Sequence, residues 1–222
     1  MLLPIGDDNI KGGYFPVFSY LFIAANVAVF LYQISLGQYQ NSFVLHFGSI
    51  PDEITRGQDL YTLFTSMFLH AGWSHLLFNM LFLWIFADNI EAIIGSRRFL
   101  FFYIMGGLLA HALHIYFYPD STIPTVGASG AISAVLGAYL VMFPSSKVKL
   151  LFFVIPFRIP AYLFLGFWIY MQISSGISSL RMADGTVSVA YWAHIGGFIF
   201  GLVMGFIYRP RIRNSSGQLA TS

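Results

Sequence analysis

The chain has 222 residues, 57% of them hydrophobic and 9% charged, with a net charge of +2 and a mean hydropathy of +0.73. A soluble domain carries roughly 25% charged residues, so this composition cannot clothe a globular surface in water, and the bilayer is the expected solvent. With no cysteine, the chain has no disulfide, thiolate metal site or cysteine nucleophile; the small net charge itself says nothing about partners, and no nucleic-acid partner is expected.

Six apolar runs follow one another at 16–36, 75–94, 99–118, 127–143, 157–174 and 191–208. Each is near the ~20 residues that cross the hydrocarbon as a helix. The expected architecture is an all-α, polytopic six-helix bundle over 16–208. Residues 1–15 precede it, and a polar tail over 209–222 is expected to be disordered. Residues 150–155 are also apolar, but Pro156 and Pro160 interrupt them, so they read as an interfacial lead into the fifth helix. The first run is too long, and too weakly flanked by a cleavage site, to make a convincing signal peptide, although Lys11 before it can be read as a positive n-region, which keeps that alternative open.

Lysines and arginines set the orientation, because cytoplasmic flanks retain them during insertion. Lys11, Arg97, Arg98, Lys147, Lys149, Arg158, Arg209, Arg211 and Arg213 fall on one side of the six runs, and only Arg56 and Arg181 on the other. Both termini are therefore expected in the cytoplasm, and the second, fourth and sixth helices start on the external face. His75 then begins the second helix, Ser129 begins the fourth and His194 lies about one turn into the sixth. The three share a shallow external level.

Helical spacing extends the cluster. Asn79 lies four residues after His75 and shares its face, while Gly197, Gly201 and Gly205 form a smooth stripe below His194. The fourth helix offers Gly130, Ser133, Ala134, Gly137 and Ala138 on one side, and two small-residue faces of this kind pack closely in lipid. Their contact would bring Ser129 against His194. A serine hydroxyl needs a base, and neutral imidazole suits that task. The first turn of the fourth helix supplies unpaired N–H groups and a positive dipole end for an oxyanion. His75 and Asn79 can add side-chain donors, and Gly127 and Gly130 leave room for a substrate backbone.

No third member of a triad stands out. Asp88 is thirteen residues beyond His75, about 20 Å deeper along the helix, and Glu91 is deeper still. Asp120 and Asp184 lie in external connections without spacing that aims them at the imidazole, so a Ser–His dyad is favoured. The nucleophile elbow G-x-S-x-G is excluded by Ala131.

On these residues the chain resembles the rhomboid family of intramembrane serine proteases, from Tyr61 to Gly205. The resemblance rests on His70-Ala-Gly-Trp-Ser-His75-Leu-Leu-Phe-Asn79, on Glu91, on Gly127-Ala-Ser129-Gly130 and on Ala193-His194-Ile-Gly-Gly197-Phe-Ile-Phe-Gly201. It implies a rhomboid-type bundle around a water-filled cavity, with Ser129 as nucleophile, His194 as its partner, and His75 with Asn79 as oxyanion donors. It also implies an amphipathic first loop over 37–72 lying in the membrane surface, and a fifth helix that gates access, with Pro156, Pro160 and Gly166 easing its movement. Two positions depart from the pattern. Tyr61-Thr62 stands where members often have Trp-Arg, which bears on how the loop is anchored. Ser133 stands where many carry an aromatic ring under the histidine, which bears on how rigidly His194 is held.

Other polar residues read as structural. His70 is expected to hold the first loop against the core, and His111 and His114 to make interhelical hydrogen bonds, with no metal site and no cofactor. H-E-x-x-H is absent, and the sequon at Asn214-Ser215-Ser216 would lie on the cytoplasmic side. The expected function is hydrolysis of a peptide bond in or near the transmembrane segment of a membrane-protein substrate, in a bacterial cell membrane. The alternative is a catalytically silent relative that binds and escorts membrane proteins. A transporter would carry polar residues through both leaflets, whereas here the cluster is one-sided.

Overall fold

The computed structural model describes residues 2–8, 12–180 and 189–219; Lys11, Arg181 and Asp184 lie outside them. Among the described residues, each apolar run contains or overlaps a helix: α1 (Val17–Ser35), α5 (Trp73–Ile94), α6 (Ser96–Phe117), α7 (Ser129–Met142), α8 (Ala161–Ser179) and α9 (Tyr191–Leu219). Between α1 and α5 the first loop folds into three short helices, α2 (Gln40–Phe47), α3 (Pro51–Thr55) and α4 (Thr62–Thr65). By length and composition, α1, α5, α6 and Tyr191–Arg209 of α9 can each cross a membrane. Helix α7 is apolar but has only 14 residues, and the second half of α8 is diluted by Gln172, Ser174, Ser175, Ser178 and Ser179.

The chain departs from an all-α architecture at one end of the bundle. Strands β1 (Leu2–Gly6), β2 (Lys147–Phe152) and β3 (Ile155–Pro160) form an antiparallel sheet in the order β1-β2-β3. Leu2 pairs with Phe152, Lys147 with Pro160, and Phe152 with Ile155 across the tight connection. Val148 and Leu150 are buried between more exposed neighbours, the period of two expected of a strand. The expected interfacial lead is therefore a hairpin. It consumes residues 155–160, so α8 starts at Ala161 instead of residue 157 and runs to Ser179. At the other end of the chain the α9 backbone is helical to Leu219, past the apolar run.

Asp7 pins the sheet to the bundle. Its Oδ2 accepts from Asn89 Nδ2 at 2.8 Å and from the Tyr139 hydroxyl, while its Oδ1 is buried without a partner. Asp8 accepts from the Lys147 amide at 3.1 Å and lies 3.7 Å from Arg158. Burial above all pushes the Asp7 carboxyl up to about 7, with the Tyr139 hydroxyl pulling the other way.

Buried Glu91 acts in place of a side-chain cap on α1. Its carboxylate accepts from the Phe18 amide at 2.9 Å and from the amide and hydroxyl of Ser19, both at 2.7 Å. Three otherwise orphaned donors near a positive helix end are satisfied in this way.

The centre of the bundle is the crossing of α7 and α9. A Cβ built on Gly197 would fall on the carbonyl oxygen of Gly130, and one on Gly201 on that of Ala134. A Cβ on Gly205 would lie 3.0 Å from Ala138 Cα. The two small-residue faces predicted to meet do so with their backbones in contact.

Candidate active site

Close approach of α7 and α9 fixes the central pair. Ser129 opens α7, His194 lies one turn into α9, and Ser129 Oγ is 2.8 Å from His194 Nε2. No side chain caps α7, so the N–H groups of its first turn face outward beside the hydroxyl without intrahelical partners.

The other ring nitrogen of His194 is occupied as well. Gln172 of α8 places its side-chain Oε1 2.8 Å from His194 Nδ1, and Trp168, one turn earlier, sets its ring 6.0 Å from the imidazole at 37°. An amide oxygen at Nδ1 requires the proton there, which leaves the lone pair of Nε2 facing the serine. Sequence reasoning missed this residue. The only signal was a lone glutamine in an apolar run, four residues from a tryptophan and thus on one helix face.

Ser133 does not reach the histidine. Its hydroxyl donates back to the Ser129 carbonyl at 2.6 Å, a bond that fits an interior helical serine. The aromatic ring expected beneath His194 from α7 is supplied from α8 by Trp168.

His75 and Asn79 face the same cavity as Ser129 and His194. The Ala71 amide donates to His75 Nδ1 at 3.3 Å, so a neutral His75 carries its proton on Nε2. Gly127 lies against that edge of the ring: at φ +121° its backbone suits glycine, and a Cβ there would come within 2.8 Å of His75 Nε2. Asn79 donates one Nδ2 hydrogen to the His75 carbonyl at 3.0 Å, leaving the second. The cavity, of about 440 Å³, extends from Ser129 past Phe78 and Phe82 of α5 to Trp168 of α8. A smaller one of about 140 Å³ continues beyond His75 to His114 and Ser121.

The remaining histidines differ in outcome: His70 and His111 hold the first loop, whereas His114, expected to make an interhelical hydrogen bond, has its Nδ1 buried without a partner among the described residues. His70 is fully buried, and its backbone exchanges two hydrogen bonds with the Gln33 side chain, at 2.7 and 3.2 Å, which ties the first loop to α1. Burial holds its imidazole down to about 4. His111 bonds Ser66 at 2.8 Å, a contact between α6 and the first loop. Among the described residues no group of three or more His, Cys, Asp or Glu could hold a metal. The Tyr61 hydroxyl donates to the His46 carbonyl at 3.0 Å, Thr62 donates to Asp59 at 2.7 Å and Thr65 to Phe47 at 2.7 Å. These bonds hold the loop together where Trp-Arg is missing. Asp88 accepts from the Asn89 amide at 2.7 Å, toward the sheet end of α5, and Asp120 borders a surface cavity with Phe117 and Thr122.

With this geometry in place, comparison with known proteins identifies the class. A family model described as the Rhomboid domain matches residues 57–211, and the chain belongs to the rhomboid family. It is similar to Rhomboid protease GluP of Bacillus subtilis, 35% identical over 133 residues that cover 60% of this chain and 26% of that protein. It is similar to the mitochondrial Rhomboid protein 1 of Saccharomyces cerevisiae, 32% identical, with 64% and 40% covered. The human mitochondrial Presenilin-associated rhomboid-like protein is 29% identical, with 81% and 45% covered. The chain thus spans between about a quarter and about half of the length of these relatives. Family and apolar helices together define an integral multi-pass membrane protein in contact with the lipid bilayer.

Proposed function

We propose that the chain is an intramembrane serine endopeptidase that hydrolyses a peptide bond in or near the transmembrane segment of a membrane-protein substrate. The observation that carries this reading is the 2.8 Å approach of Ser129 Oγ to His194 Nε2 at the wall of an open cavity.

In this mechanism Ser129 Oγ adds to the substrate carbonyl as its proton passes to His194 Nε2. The oxyanion meets the first-turn amides of α7, the His75 Nε2–H and the free Nδ2 hydrogen of Asn79. On collapse His194 returns the proton to the leaving amine, and a water activated by the same imidazole releases the acyl group. Substrate backbone must leave its helix to present a carbonyl. Because helical hydrogen bonds are costly to open in lipid, segments with Gly, Ala, Pro or polar residues near their outer end are favoured.

Orientation follows from the charge bias. Lys149 and Arg158 pair across the sheet at the end of α7 opposite Ser129, so a cytoplasmic sheet puts the cavity on the external side and both termini in the cytoplasm.

The test is cleavage of a reporter transmembrane protein in proteoliposomes. Ser129→Ala and His194→Ala should each lower the rate by about 10³-fold or more. A wild-type protein inert toward every reporter, or a Ser129→Ala variant that cuts as well, overturns the reading. An inert protein that still crosslinks to the reporters would instead be an escort.

A further inference from the structure

The histidine is held from a helix other than its own. His194 belongs to α9 and meets Ser129 of α7 at Nε2, yet the oxygen at Nδ1, Gln172 Oε1, and the ring beside it, Trp168, come from α8. The seam between α8 and α5 is made by ring contacts of Phe164 with Phe82 and Phe86, at 6.1 and 6.3 Å. Only four of the 19 residues of α8 are buried. Helix α8 is therefore the helix around the cavity with the least holding it, and it carries the support of the base.

We propose that Gln172 is a positioning residue that holds His194 in the Nδ1–H tautomer, so that the base is competent only while α8 is docked. The proposal rests on the Ser129–His194 reading and adds the partner that sets the imidazole. In neutral imidazole the proton sits on one nitrogen or the other, and the tautomer with the proton on Nε2 cannot accept from the serine. An oxygen fixed at Nδ1 selects the productive form, a task a carboxylate performs in a triad. Among the described residues, the titratable groups whose charge acts on His194 are His75 of α5 and His114 of α6. Neither is bonded to it, and no carboxylate is. The amide is the polar contact at Nδ1.

Replacement at Gln172 separates positioning from bulk. Gln172→Leu keeps the volume and removes the acceptor, while Gln172→Glu keeps the acceptor and adds charge. In proteoliposomes, kcat and KM would be measured on a transmembrane reporter, together with the rate of Ser129 labelling by a small fluorophosphonate from pH 5 to 9. Gln172→Leu should lower kcat and labelling by about 10–100-fold with KM within about twofold of wild type. Gln172→Glu should keep at least about a third of the labelling rate. It should also shift the acidic limb of the pH profile upward by about one unit, because a carboxylate at Nδ1 stabilises imidazolium and neutral imidazole is the working form.

The proposal fails if Gln172→Leu labels at the wild-type rate, or if both variants fall equally with the acidic limb unmoved. Should Gln172→Leu not fold, ¹⁵N shifts of His194 in the wild type and in Gln172→Glu decide. Measured on neutral imidazole, at pH above the acidic limb, a proton on Nδ1 in both supports the proposal, and a proton on Nε2 with Nδ1 bare in either sinks it. A wild type that neither labels nor cuts defeats the protease reading instead, and is recognisable as such.

Discussion

Helices α7 and α8 border the same cavity and are built differently. In α7, twelve of the 14 residues are buried, and its small side chains press against the α9 backbone at Gly197 and Gly201. In α8, four of 19 are buried, and Tyr162, Phe167, Tyr170 and Met171 point outward. Ser129, the proposed nucleophile, stands on the deeply buried helix. Gln172 and Trp168, which border His194, stand on the more exposed one.

Glycine replacement tests that contrast most severely. Gly201→Ala drives a Cβ into the Ala134 carbonyl and should cost about 1–3 kcal/mol or more of stability, with a lowered Tm and lost activity. Gly166→Ala on α8 meets nothing within 4 Å and should be neutral or stabilising by up to about 1 kcal/mol. Equal effects in a thermal unfolding assay would erase the difference between the helices.

A crosslink sharpens the comparison, and a chain without native cysteine offers a clean background. Phe82→Cys with Phe164→Cys, oxidised across the α5–α8 seam, should leave fluorophosphonate labelling within about threefold of wild type. Cleavage of the transmembrane reporter should fall more than about tenfold, and reduction should restore it. Unimpaired cleavage by the crosslinked protein would show that access lies elsewhere. Trp168→Ala should reduce labelling about tenfold by freeing the imidazole ring, and Trp168→Phe should recover most of it; equal rates in both would mean that the ring does not support His194.

The smallest effect concerns the sheet that leads into α8. Asp7 titrates near 7 when docked and near 3.8 when free. Between those values a detached strand gives up a proton that the docked strand keeps, so docking weakens as pH rises through that window and is level on either side. Tyr139, Asn89, Asp88, Asp8 and Lys149 are the groups acting on it. Amide hydrogen exchange at Leu3, Ile5 and Gly6 should accelerate by more than about tenfold across the window, beyond the intrinsic pH dependence. Asp7→Asn should abolish the change, and a pH-independent wild type would contradict the assignment.

The bundle and the Ser129, His194, His75 and Asn79 cluster were legible because period and spacing carry them: six apolar runs, two small-residue stripes and motifs at helix starts. The hairpin was not, because Val148 and Leu150 alternate over too short a stretch and Pro156 read as an interruption rather than as the far side of a turn. Gln172 was hidden for another reason. A triad's third member was sought among carboxylates, and the group that reaches Nδ1 is an uncharged amide on a helix 22 residues upstream, whose approach only tertiary packing reveals. The missing aromatic at Ser133 has the same explanation, since Trp168 fills the role from another helix.

The brevity of α7 bears on the lipid itself. Fourteen residues rise about 21 Å, about 9 Å short of a typical hydrocarbon layer. In the proposed orientation, Ser129 at the start of that helix would act as a fixed mark on a ruler whose other end is the cytoplasmic leaflet. Thickening the bilayer with longer acyl chains would then sink the mark further from the outer surface, and thinning it would raise the mark. The bond a substrate presents to the hydroxyl would then shift along its sequence by roughly one residue for every 3.3 Å of added thickness when extended, so membrane thickness would take part in choosing where the cut falls.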